Sequence, residues 1–180
     1  MQNWEKTKEK LIELDNSWEQ LYQKLRNNHK QEDLIEPVLL GYYTHSLNLA
    51  TAVNESSILN ASFYIANHTA KPIEQLTICI KIDASLPYQF SGKYINENDH
   101  GKKAGQQTAW QLVENNHDQY WFTYLPEEGL LADRTIQFAN FAITWKAEEA
   151  YSLSIEGFIY TNEYPDGQAV LNPIFIAVTD

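Results

Sequence analysis

The chain of 180 residues has one cysteine, Cys79. A single thiol forms no intramolecular disulfide, which argues against a small secreted domain stapled by crosslinks. Between Ile78 and Ile80 it reads as a small side chain of a strand rather than a catalytic thiolate, which needs an electropositive setting and a base. Basic residues are also scarce. Thirteen Lys and Arg stand against 24 Asp and Glu, for a formal net charge of -11. Nucleic acid and anionic membrane surfaces are bound by neutralising their phosphates, so neither is an expected partner. No apolar run reaches the roughly 18 residues of a membrane-spanning helix. Met1–Lys10 has no apolar stretch of the kind a Sec signal peptide carries, which makes the cytoplasm the default expected address.

Motifs that carry chemistry are missing as well. There is no Gly-x-Ser-x-Gly elbow and no Gly-rich phosphate loop. The five histidines form no His-x-His or His-x-x-x-His pair. Asp99-His100 and His117-Asp118 are adjacent pairs, and neighbouring strand residues face opposite ways, so each pair chelates poorly. Asn96–Asp99 clusters oxygen donors without the Asp-x-Asp-x-Asp-Gly spacing of a calcium loop. Asn54, Asn60 and Asn67 each open an Asn-x-Ser/Thr triplet, read as accidents of composition in a chain without a signal peptide. The expectation is therefore a protein that is not an enzyme, with no metal and no cofactor.

Two patterns are present. Trp4, Leu11, Trp18 and Leu25 recur every seventh residue, and Leu14 and Leu21 follow Leu11 and Trp18 by three. A 3.5-residue repeat keeps one helical stripe turned to a partner, so residues 1–36 read as a coiled-coil-like helical arm ending before Pro37. Two Trp on that stripe require a cover, since burying each large side chain is worth about 1.5–3 kcal/mol. Pairing with copies of the same chain is the favoured cover, ahead of folding back on the rest of the molecule.

Residues 37–180 have a period near two. Inward sets are read at Leu47 and Leu49, at Leu59, Ala61, Phe63 and Ile65, and at Leu76, Ile78, Ile80 and Ile82. Ser91–Gln107 reads as a long polar loop. In the next segment Ile136 and Phe138 share one parity and Phe141, Ile143 and Trp145 the other, which predicts a β-bulge at Ala139–Asn140. Tyr151, Leu153, Ile155 and Ile159 follow with Gly157 read as a bend, then a turn at Tyr164–Gly167, then Ile174, Ile176 and Val178. About eight strands joined by short turns predict an antiparallel two-sheet sandwich. Their number and spacing over about 140 residues resemble immunoglobulin-like and fibronectin-like domains in architecture, without the Cys…Trp…Cys signature, and a jelly roll is the alternative.

Aromatics stand out in this domain. Tyr120-Trp121-Phe122 must send at least one large ring to the outer face, and Trp110, Tyr120, Trp121 and Tyr124 are the candidate recognition residues. The functional expectation is a noncatalytic interaction or structural protein, assembled through Trp4, Leu11, Leu14, Trp18, Leu21 and Leu25, that displays a partner-binding surface, on its own or as a component of a larger particle or coat. Its expected partners are itself and another protein. A carbohydrate-binding module using exposed rings is the alternative. Replacing Leu14 and Leu21 by Glu is expected to dissociate the oligomer in sedimentation equilibrium while leaving the β-sheet circular dichroism intact.

Overall fold

The computed structural model describes residues 38–96 and 108–179, and these form a mainly β protein of two sheets. The helical arm read over residues 1–36 and its six assembly positions lie outside the described residues. The strands are β1 (Leu39–Asn48), β2 (Ser56–Asn67), β3 (Thr77–Ala84), β4 (Tyr88–Ser91), β5 (Ile95–Asn96), β6 (Trp110–Asn116), β7 (Gln119–Tyr124), β8 (Arg134–Lys146), β9 (Tyr151–Tyr160), β10 (Gln168–Ala169) and β11 (Ile174–Val178). One sheet has the order β1-β2-β8-β4. The other runs β10-β9-β3-β7-β6-β5, and β11 continues the line of β10 along the same edge of β9. All pairings are antiparallel except the two-residue contact of β5 with β6.

With β1, β2, β8 and β4 as strands A, B, E and D, and β3, β9 and β10–β11 as C, F and G, this is the ABED and CFG order of immunoglobulin constant-type sandwiches. β5 to β7 are an insertion between D and E that widens the second sheet beyond β3. Immunoglobulin domains join B to F by a disulfide. Here those strands meet through Phe63, whose ring lies over Gly157.

The period-two reading fixes which face each strand buries. On β3, Ile78, Ile80 and Ile82 are fully buried in the core, while Thr77 and Lys81 lie on the outer face with Cys79. β8 carries the slip expected from its sequence. Phe63 pairs with Phe138 and Ala61 with Phe141, so the two intervals differ by one residue, and Asn140 takes a left-handed φ of 54°. The Asn140 N–H donates to Ser62 Oγ at 3.0 Å, which satisfies the bulged backbone. Both Phe138 and Phe141 are thereby fully buried.

Two expectations are corrected. Leu47 and Leu49 do not point into the core; they are about 40% exposed, at 41% and 40%. The chain pins only the first half of β1 to the second sheet. Asn172 accepts the Tyr43 N–H through Oδ1 and donates to the Tyr43 carbonyl through Nδ2, both at 2.8 Å, and Leu171 N–H donates to the Gly41 carbonyl. Past Tyr43 no such bridge is found among the described residues, and the inner face of β1 opens to water. The polar stretch from Ser91 is also not all loop, since Tyr88–Ser91 extends the first sheet as β4 and Ile95–Asn96 forms β5. Residues 97–107 lie outside the described residues.

Gly157 does not bend β9. A side chain there would sit 2.5 Å from the Tyr43 hydroxyl and 2.7 Å from Val170, so its bare backbone makes the hollow that Tyr43 fills. The Tyr43 hydroxyl donates to the Glu156 carbonyl at 3.2 Å.

The bulge makes a quantitative prediction. A left-handed residue with a β-branched side chain costs about 1–2 kcal/mol more than one with none. Asn140→Val should therefore lower unfolding free energy in urea by that amount, whereas Asn140→Gly should leave it within about 0.5 kcal/mol of the parent.

Candidate functional site

The outer face of β9, β3 and β7 carries a group of aromatic side chains outside the core. Strand alternation assembles it in rows. Phe158, Cys79 and Trp121 lie side by side across the three strands. The next row holds Tyr160, Thr77 and Thr123, and the row on the opposite flank holds Glu156, Lys81 and Gln119. The middle of the face is apolar and its borders are polar.

The aromatic pair at its centre is Trp121 and Tyr160, with ring centroids 4.9 Å apart and planes 40° apart. Trp121 Nε1 donates to Gln119 Oε1 at 3.3 Å. Tyr160 is backed by the Tyr164–Gly167 turn, which is closed by a 3.2 Å bond from the Gly167 N–H to the Tyr164 carbonyl. Gly167 has a φ of 84°, and a Cβ there would lie 2.6 Å from the Tyr160 ring. The turn thus presses flat against the ring. Thr77 and Thr123 share a hydroxyl hydrogen bond at 3.2 Å, and Lys81 Nζ meets Glu156 Oε2 at 3.1 Å. That ion pair raises the Lys81 ammonium above its ordinary range, chiefly through the hydrogen bond to Glu156. Both partners are exposed, so it serves orientation more than stability.

Beneath the rings, Cys79 is 3% exposed. Burial pushes its thiol up to about 12, with the nearby Asp118 carboxylate adding to the shift. This is an inert packing thiol, not a nucleophile.

The four sequence candidates divide by parity. Trp110 and Tyr120 are buried. The Trp110 ring meets Tyr124 at 5.2 Å and Phe138 edge-on at 5.9 Å, and its Nε1 donates to the Gln137 carbonyl of the opposite sheet at 2.9 Å. Tyr120 stacks on Phe90 at 4.2 Å. Tyr124 is half-buried beside Trp110, and burial raises its hydroxyl above the usual range. Trp121 alone of the four faces outward. Phe158 and Tyr160 were not singled out from the sequence. The signal was present, because they alternate with the apolar set Ile155, Gly157 and Ile159 and so occupy the outward phase of β9.

The other surfaces offer less. Tyr42 and Tyr64 stack at 5.1 Å on the outer face of the first sheet. A shallow cleft at its β4 edge is lined by Ser56, Pro87, Tyr88, Gln89, Thr144, Trp145 and Lys146, and the Lys146 ammonium there donates to Ser56 Oγ at 2.9 Å. Neither gathers the titratable groups that a catalytic pocket needs. Among the described residues no group of three His, Cys, Asp or Glu side chains could hold a metal ion. His45, His68 and His117 are exposed, and Asp99-His100 lies outside the described residues. Of the three Asn-x-Ser/Thr triplets, Asn67 is fully buried. Its Nδ2 donates to the carbonyls of Lys71 and Leu130, and its Oδ1 accepts from Thr69, so it holds a turn together.

No protein-family model matches this chain. No curated protein matches it. Among solved structures it is similar to the collagen-binding domain from a Staphylococcus aureus adhesin, at 11% identity and a TM-score of 0.31, over 77% of this chain and 97% of that one.

The thiol yields a pH prediction. An unfolded cysteine ionises near 8.5, whereas Cys79 holds its proton to about 12. Above the unfolded value only the unfolded state releases this proton, so stability falls as pH rises and the loss ends near the folded value. Native protein at pH 8.5 should resist iodoacetamide and react once unfolded in guanidinium. The melting temperature should decline from about pH 9 upward, and Cys79→Ala should flatten part of that decline.

Proposed function

We propose that this chain is a noncatalytic binding protein with an immunoglobulin-like sandwich whose recognition surface is the outer face of β9, β3 and β7. The observation that carries this reading is the aromatic cluster of Phe158 and Trp121 in one register row and Tyr160 in the next, on the face turned away from the core. An apolar centre ringed by Thr, Gln, Lys and Glu is the plan of a protein interface, in which buried aromatic anchors carry the affinity and a polar rim the orientation.

The geometry favours a protein over a glycan. Trp121 and Tyr160 are tilted against each other and half-covered, so they offer no coplanar platform for a sugar ring, and the Trp121 Nε1 proton is already engaged by Gln119. Assembly of copies through Trp4, Leu11, Leu14, Trp18, Leu21 and Leu25, a cytoplasmic address and a place in a larger particle or coat belong to the same proposal, and they rest on the sequence alone.

The test places a photo-cross-linking amino acid at Phe158 in the full chain, in cells of its own source. One discrete protein adduct is expected, and Trp121→Ala should abolish it without changing the melting temperature by more than a few degrees. Absence of any adduct, or binding to a glycan array that quenches tryptophan fluorescence, would contradict the reading.

A further inference from the structure

Among the described residues nothing covers the edge strand β11, and the strand itself carries no charge, bulge or proline. Its sequence, Ile174-Phe175-Ile176-Ala177-Val178, has no charge and no proline, and Phe175 is 72% exposed. Native proteins protect such edges with Lys, Pro, bulges or a cover, because unpaired main-chain groups recruit another strand.

The hydrogen-bond parity of β9 shows which groups are left open. Ser152 exchanges bonds with Ser85, just beyond β3, and the Gly157 carbonyl accepts from Val170 on the other side. Even-numbered residues of β9 therefore bond towards β3, and odd-numbered ones towards β10 and β11. Ile174, Ile176 and Val178 lie opposite Ile155, Leu153 and Tyr151, so their main chains are engaged with β9. Phe175 and Ala177 turn their N–H and C=O outward. Among the described residues those four groups have no partner.

We infer that two copies of this chain join edge to edge through antiparallel β11 strands, with the two-fold axis at Ile176. In that register Phe175 of each copy faces Ala177 of the other. These are the residues whose main chains are open, so both pairs become hydrogen-bonded and all four groups are satisfied. Ile176 meets its own copy as a non-hydrogen-bonded pair, as antiparallel alternation requires. The side chains fit as well: each exposed Phe175 ring lies over the small Ala177 of the other copy on the outer face, while the Ile176 pair extends the inner face. The strand carries no charge, so the acidity of the chain sets no like charges opposite one another on this ladder. Pro173 occupies the next edge position and offers no N–H, which ends the ladder. One residue shifted in register would place engaged groups opposite open ones. The contact is small against the roughly 1,200–2,000 Å² of a standard interface, so the dimer is weak. This inference does not depend on the recognition face, because neither Trp121, Phe158 nor Tyr160 takes part.

The test is sedimentation equilibrium of the full 180-residue chain at tens of micromolar, with Ala177→Lys and Phe175→Lys compared at equal concentration. Each substitution is on an exposed edge, and an unchanged melting temperature reports that the fold survives. The expected result is a twofold drop in sedimenting mass for both variants, whatever further assembly the parent shows. A parent already at 20.8 kDa, or a parent mass retained in Ala177→Lys, overturns the proposal. Register is read separately. Mixed Phe175→Cys and Ala177→Cys chains should form a disulfide between them on oxidation, and Ala177→Cys alone should not. The reverse yield overturns the Ile176 axis.

Discussion

β8 runs thirteen residues and lines the core along most of its length, which strict alternation alone would forbid. Phe138 and Phe141 are an odd number of residues apart, so in an unbroken strand one of them would face water. The extra residue at Ala139–Asn140 resets the parity, Asn140 accepts the left-handed backbone, and Ser62 on the neighbouring strand satisfies its N–H. The buried aromatic chain of Phe122, Phe138 and Phe141 exists because of this reset. Apart from a second slip between Leu112 and Glu114 of β6, the strands keep their phase, since a slip of one residue exchanges core and surface beyond it.

That constraint determines the outer surface as strictly as the interior. Once Ile78, Ile80 and Ile82 face in, Thr77, Cys79 and Lys81 must face out. The same rule on β7 buries Tyr120 and Phe122 and leaves Trp121 outside. On β9 it frees Glu156, Phe158 and Tyr160. The proposed recognition face is thus the complement of the core, held in place by the buried residues that alternate with it. The open edge of β11 follows from the same alternation, applied to main-chain groups instead of side chains.

Much of this was legible in the residues. The inward set of β3, the bulge in β8 and the turn at Tyr164–Gly167 all rest on local alternation or turn chemistry, and they appear where the sequence places them. What failed was long-range. Leu47 and Leu49 alternate correctly, yet nothing in β1 announces that the opposite sheet ends its contact at Tyr43, because that depends on Asn172, 129 residues away. Trp110 and Tyr120 look as exposed in sequence as Trp121. Their burial depends on Phe90 and Gln137, which only the fold brings near. Gly157 reads as a bend in a strand and proves to be a hollow, since the ring that fills it comes from the other sheet. The bulge was readable because it concerns a single strand.

Strand phase along β7 decides which of its side chains enter the core and which form the outer face. The most direct measurement replaces Tyr120, Trp121, Phe122 and Thr123 one at a time by cysteine in a Cys79→Ala background and follows maleimide labelling of the folded protein. Fast reaction at 121 and 123 with slow reaction at 120 and 122 is the result the structure requires. Equal rates along the strand, or the opposite alternation, would contradict it.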